Sequence, residues 1–338
     1  MKTSHWTALI VSLTAIPGWF ALPESSAAPA GWTFSGPFIH QNLAVYLIHG
    51  KDTHPGKKFL TLQEALKQKQ IIVHETGTVN ELQLENVSSE FEIFIQAGDI
   101  VKGGRQDRVL AYDLIVPVKS GKLPLSAFCV EAGRWRGRGA EDAGRFSQST
   151  GQLPGKALRL AVGSARQQSQ VWEKVKEQQD KLSRKLNKSV ADSRSPSSLQ
   201  LTLEDKELQA QVDAYVVRLE KCLADKPDVL GFAVTINGAV EGAEVYGSSA
   251  LFRKMWPKLL RATAVDAFTE QQKGRRYELA EPDEIRFFLA TGGKGKPAEK
   301  KVNDRVHVTT RENENVVSIE TRDKENKGAM IHRSYIAR

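Results

Sequence analysis

This 338-residue chain is short of the residues that usually announce a chemistry. It has two cysteines, Cys129 and Cys222. That is too few for a disulfide-stapled scaffold. The pair is either one disulfide or two small buried hydrophobes. Position favours the second, since Cys129 ends an apolar strand pattern and Cys222 falls on the apolar stripe of a helix. No HExxH occurs, and His40, His49, His54 and His74 are scattered without a His-x-His pair. A zinc or cupin-type metal centre is therefore not expected. There is no GxSxG nucleophile turn. Residues 292–296 read GGKGK but lack the full GxxxxGK[ST] spacing and the helix that should follow. No cofactor is expected.

Long apolar runs are missing beyond residue 28, so no later segment reads as a membrane span. The start of the chain is different. Lys2 precedes an apolar stretch from Ala8 to Leu22, and Ser25-Ser26-Ala27-Ala28 offers small residues for cleavage. Pro17-Gly18 would interrupt a spanning helix. Residues 1–28 thus read as a signal peptide, and the mature protein as exported, periplasmic or extracellular, with no anchor after cleavage. Acidic excess is also lacking. The formal charge is +8, and cleavage removes one residue of each sign, Lys2 and Glu24. In an exported protein such an excess points to anionic glycans, the cell envelope or acidic partners rather than nucleic acid, or serves solubility alone.

What the chain does have is a dense stretch from Gly98 to Trp135. Gly103-Gly104 is a turn signal, and Val109, Ala111, Leu114, Val116 and Val118 then supply one strand. Ser120-Gly121 turns again, and Leu123 to Val130 forms a second. Two polar clusters flank these strands: Arg105, Gln106, Asp107 and Arg108, then Glu131, Arg134, Arg136 and Arg138. Antiparallel pairing would bring Arg108 and Glu131 to one rim of the sheet. A guanidinium fork beside a carboxylate either locks two turns together or grips an anionic or hydroxyl-rich ligand.

The segments GGRQDRVL and FCVEAGRW are similar to the paired signature of the ARG and rhodanese-phosphatase-superfamily-associated domain family. Upstream, FLTLQEAL, IIVHETGTVNELQLENVS and IFIQAGDIVKGG follow the same pattern in order. Downstream the resemblance returns at VLGFAVTINGAVEGAEVYGS. It implies an α+β fold and marks Gln106, Arg108, Cys129, Glu131, Arg134 and Trp135 as family-like polar or signature positions. The family name records association with ADP-ribosylglycohydrolases and phosphatase-related proteins, not an activity. The chain departs from the family pattern at Arg105, where lysine is expected, and at Asp107, where asparagine is expected. The added carboxylate is expected to pair with Arg105 or Arg108.

The rest of the chain supplies elements. Phe38 to Ile48 reads as a central strand, apolar on both faces. Thr61-Leu62-Gln63-Glu64 is a capping box opening a short helix. Ile71 to Glu75, Val79 to Val87 and Phe91 to Ile95 read as strands. Gly137 to Pro154 reads as a loop that could cover a ligand. Ser164 to Lys188 reads as one long charged helix with a thin stripe at Val171, Val175, Leu182 and Leu186, and Ser189 to Ser198 as a linker. An amphipathic helix starting near Thr202 carries Leu208, Val212, Tyr215 and Leu219. Asn237-Gly238 joins a hairpin. Ser248 or Ser249 caps a helix that Pro257 should kink or split. Ile285 to Leu289 reads as a strand before a closing meander over 305–335.

The fold class is therefore α+β. A β-rich part over 30–161, sandwich or barrel-like, joins through a helix and linker over 163–198 to an antiparallel sheet with two packed helices over 200–338. Two functions fit. One is an exported binding or assembly protein in which Arg105, Gln106, Arg108 and Arg134 grip an anionic or carbohydrate-like ligand and Trp135 stacks on it. The other is a hydrolase of phosphate- or glycan-containing material, with Glu131 as general acid or base and Asp107 or Asp113 as a second carboxylate. One plausible carboxylate in the signature favours binding.

Overall fold

A computed structural model describes residues 31–139, 141–164, 168–272 and 274–338. The expected signal peptide lies outside the described residues. The chain opens with a hairpin, β1 (Thr33–His40) and β2 (Leu43–His49). Strand β3 (Phe59–Thr61) runs into helix α1 (Leu62–Lys67), where Thr61 and Glu64 make the expected capping box. Short strands follow: β4 (Ile71–Glu75), β5 (Glu81–Asn86), β6 (Glu92–Ile95) and β7 (Asp99–Gly103). Then come β8 (Arg108–Leu110), β9 (Leu114–Val116), β10 (Lys122–Cys129) and β11 (Phe146–Gln152). Helices α2 (Lys156–Ser164), α3 (Gln168–Leu186), α4 (Leu199–Leu203) and α5 (Lys206–Leu219) come next. The hairpin β12 (Val229–Ile236) and β13 (Ala239–Tyr246) leads to α6 (Ser249–Glu270) and α7 (Pro282–Gly292). Four strands finish the chain: β14 (Lys296–Lys301), β15 (Val306–Glu312), β16 (Val316–Asp323) and β17 (Ala329–Ala337).

The strands form three sheets, and the protein is α+β. The largest has the order β1-β2-β12-β13-β17-β16-β15-β14, the second β11-β7-β8-β10-β5-β4, the third β3-β6-β9. The eight-stranded sheet draws on both ends of the chain, because β2 pairs with β12 along Leu43 to His49. Its interior position explains the doubly apolar pattern. Leu43, Val45 and Leu47 enter one core and Ala44, Tyr46 and Ile48 another, on opposite faces. Helix α6 packs against β12, while α7 packs against β13 and β16. The first of these cores also takes in Phe94, Ile100, Val109 and Ile115 from the two smaller sheets.

Several expected elements are redrawn. The strand expected over Phe38 to Ile48 is two, because the chain turns at Gln41, which has a positive φ of 54°. The strand expected over Val109 to Val118 also breaks. Its first part pairs with β10 and its second with β6, in different sheets. The loop expected over Gly137 to Pro154 contains β11, paired to β7. Residues 285–289 are helical within α7, whose start carries Pro282 at its first turn and a capping box between Glu281 and Glu284. Helix α6 runs through Pro257 without splitting. The amphipathic helix begins after Asp205, whose carboxylate caps Glu207 and Leu208. No helix among the described residues is long and apolar enough to cross a membrane.

Candidate functional site

The signature begins at a turn that only glycine fits. Gly103 and Gly104 both have positive φ, and a Cβ on Gly104 would stand 2.3 Å from the Phe146 ring. Strand β8 then pairs antiparallel with β10, with Arg108 opposite Cys129. The turn before β8 and the turn after β10 consequently meet at one rim, as the sequence pattern predicts.

Most of the charge gathered there is turned inward and paired. Glu131 is fully buried. Its Oε2 accepts from the Asp107 backbone N–H at 2.9 Å. Its Oε1 accepts from Arg134 Nε at 2.6 Å, from Arg138 Nη1 at 3.3 Å and from the Ser195 hydroxyl. Arg134 spends its other nitrogens on the Gly103, Gly104 and Arg136 carbonyls. Asp107 does not pair with Arg105 or Arg108. It faces inward, takes the Gly103 N–H and the Ser198 hydroxyl, and forms a two-pronged ion pair with Arg138 at 2.9 and 3.2 Å. Burial works against the charge on Arg138, but Asp107 and Glu131 outweigh it and hold the guanidinium above its ordinary value. Gln106 is buried, donating to the Glu131 carbonyl at 2.7 Å and accepting from the Cys129 thiol at 2.9 Å. Burial pushes that thiol up to about 11, which removes it as a nucleophile near neutrality. Cys129 and Cys222 are both free and buried.

Two of these partners, Ser195 and Ser198, come from the stretch expected to be a linker. Instead it crosses the rim. The Leu199 N–H bonds to the Val130 carbonyl at 3.1 Å, and the Ser197 hydroxyl to the Ala132 carbonyl at 2.6 Å. Serine-rich sequence looked like a spacer because nothing local reveals that each hydroxyl has a distant partner.

The outer corner of the rim is built differently. The Arg108 side chain is fully buried, and its Nη1 donates to the Gln106 carbonyl at 2.8 Å. Its Nε and Nη2 have no hydrogen-bond acceptor among the described residues. Glu75, at the end of β4, lies with Oε1 3.5 Å from Arg108 Nη2, and that oxygen too lacks a donor. The other Glu75 oxygen accepts from the Arg105 N–H. Trp135 closes the corner. It is 42% exposed, with the guanidinium carbons of Arg105 and Arg108 at 5.4 and 5.7 Å from its ring. Of the residues singled out from sequence, Arg105 and Trp135 thus face outward over the buried Arg108, while Gln106, Glu131 and Arg134 brace the corner from behind. Glu75 is the member that sequence reading missed. Only its place at the end of a strand running toward the same rim could have suggested it.

Asp113 points elsewhere. It sits in the crossover between β8 and β9, where its carboxylate meets His332 Nδ1 at 2.7 Å and the Thr321 hydroxyl at 2.6 Å. His332 Nε2 meets Glu244 at 2.8 Å, and Arg159 and Ser334 each bond the other Glu244 oxygen at 3.0 Å. Burial would push His332 down, but the two carboxylates hold it up at about 10, an imidazolium locked between sheets. The adjoining cavity is about 60 Å³, room for a few waters. The remaining histidines stay apart. His49 pairs with Asp228, His74 lies 3.6 Å from Glu85, and His40 packs on Tyr215. No group of three or more His, Cys, Asp or Glu side chains among the described residues is arranged to hold a metal.

The match to the ARPP-1 family, the ARG and Rhodanese-Phosphatase-superfamily-associated Protein domain, spans residues 31–336, so the chain belongs to that family. No curated protein and no solved structure matches it.

Proposed function

We propose that this ARPP-1 protein is an exported binding or assembly protein that takes a hydroxyl-rich, carbohydrate-like ligand at the corner of Glu75, Arg108 and Trp135. The observation that carries this reading is the facing pair Arg108 Nη2 and Glu75 Oε1, ion-paired at 3.5 Å but each without a hydrogen bond among the described residues. A buried donor or acceptor without a hydrogen bond costs roughly 1–3 kcal/mol, so the pair gains from a bridging hydroxyl, of water or of a ligand. A hydroxyl group fits both. It accepts from the guanidinium and donates to the carboxylate. A bare anion fits less well, because Glu75 would repel it. Trp135 slides off Arg108 and stacks on the apolar face of the sugar ring. Arg105 stands beside it, free to meet a neighbouring phosphate or sulfate.

Glu131 is better suited to positioning than to acid–base work. Both its oxygens are taken by protein donors, and Arg134 and Arg138 neutralise it. The export component rests on the charged, apolar and small-residue pattern of residues 1–28.

The test is a thermal-shift screen of the mature protein with ribose 5-phosphate, ADP-ribose, sulfated disaccharides and inorganic phosphate. A ligand that binds only the native state raises the melting temperature. Hydroxyl-bearing compounds should raise it and phosphate alone should not. Glu75→Gln and Trp135→Ala should each remove the shift while the protein stays folded. A shift with phosphate alone, or one that survives both substitutions, contradicts the reading.

A further inference from the structure

A second place in the molecule combines a cleft with unpaired polar groups. It lies where α2, α3 and α6 meet the β12–β13 hairpin and has a volume of about 310 Å³, within the range of small-molecule sites. Gly155 forms part of its floor with a φ of +82°. The space above Gly155, where a Cβ would stand, is 3.3 Å from Gln178 Oε1 and 4.0 Å from Asp266 Oδ1. Gln178 is 8% exposed, and its Nε2 has no acceptor among the described residues. Among the same residues Asp266 Oδ1 has no hydrogen-bond donor, and Arg159 Nε no acceptor. Two ion pairs frame the mouth, Lys156–Glu241 at 3.0 Å and Lys181–Glu270 at 2.8 Å. Nothing in the binding corner of the second sheet uses any of these groups.

We propose that this cleft binds a small zwitterion of the α-amino acid type, its ammonium on Asp266 and its carboxylate on Arg159 and Gln178. The inner wall presents one unpaired carboxylate oxygen and two unpaired N–H donors, one of them on a cation. A ligand with one positive and one negative end satisfies all three, with Arg159 meeting the carboxylate through Nε while its Nη1 stays on Glu244. The framing lysines and glutamates are already paired with each other, so they neither supply nor need a partner.

The free protein should show the cost of keeping such a site. Burial raises the Asp266 carboxyl to about 7, with Arg159 opposing and Glu241 and Glu270 reinforcing. Its folded value lies above the unfolded 3.8, so Asp266 destabilises fully above pH 7 and not at all below 3.8. Asp266→Asn should therefore stabilise the empty protein at pH 8 and change little at pH 4.

The deciding experiment is calorimetric titration of the full chain with the common α-amino acids, and with methylammonium, acetate and acetamide as single-function probes. At least one amino acid should bind about tenfold or more tighter than any of the three probes. Asp266→Asn should weaken that binding by at least about tenfold, and Gln178→Leu should weaken it in a protein whose Asp266 is intact. Heat from none of the amino acids, acetamide binding as tightly as they do, or an unchanged affinity in Asp266→Asn would each overturn the proposal.

Discussion

Arg138, outside the expected site, braces this fold. It is 5% exposed and answers two buried carboxylates, Asp107 and Glu131. Removing one partner of a buried ion network leaves the others uncompensated, at a cost of about 3–5 kcal/mol. Arg138→Ala should cost that much in urea denaturation. Arg105→Ala, which removes a partly exposed cation whose hydrogen bond to Glu75 is made by its backbone and whose guanidinium stacks on Trp135, should cost no more than about 1 kcal/mol. Equal losses would mean that the network is not the brace described. The departure at Asp107 makes sense on these terms. Asparagine there would face the same guanidinium with one oxygen and no charge, whereas Asp107 gives Arg138 both oxygens. The residue types were legible in sequence and their partners were not, since Asp107 meets Arg138 thirty-one positions away and Ser198 ninety-one away.

Among the elements, three marked by local chemistry were read correctly. The Thr61–Glu64 box caps α1, Asn237 and Gly238 both take positive φ in the β12–β13 turn, and Val171, Val175 and Leu182 bury the stripe of α3. Other elements were misread, for two different reasons. Strand β11 is polar, and only its register against β7 makes it a strand. Residues 285–289 form an apolar run too short for periodicity to decide, and the cap at Glu281 and Pro282 decides it for helix. The rim was visible because two strands with clear turns bracket it. Its cover was not, because Ser189 to Ser198 has linker composition and a packed role. Ser195→Ala and Ser198→Ala together strip two hydroxyls from buried carboxylates, so their sum should lower stability by about 2–4 kcal/mol. A true linker would show no loss.

Across the whole molecule, His332 on β17 meets Glu244 on the neighbouring strand β13 and ties the large sheet to the smaller ones through Asp113. Its folded value near 10 exceeds the unfolded 6.5, so its contribution is complete below 6.5 and is lost as pH rises through about 10. Asp113 is shifted the other way: burial opposes its charge, but His332 and Thr321 hold its carboxyl below 3.8. That contribution is lost only in acid. The melting temperature should therefore fall between about pH 7 and 10, and His332→Gln should be less stable at pH 7 and lack that slope. The same sheet predicts how the chain divides. Strand β2 covers β12 along its full length, so a piece of residues 200–338 would expose a buried apolar strand edge. It should aggregate or remain unfolded by circular dichroism, whereas a piece of residues 31–338 should fold.

The binding corner is tested most directly by the fluorescence of Trp135 during titration with the best ribose- or glycan-bearing compound from the screen. If, as proposed, Trp135 leaves Arg108 to stack on the ligand, the wild-type protein should show a saturable change that Trp135→Phe abolishes and Glu75→Gln weakens by at least about tenfold. A change of the same size and midpoint in all three proteins would place the ligand elsewhere and contradict the account.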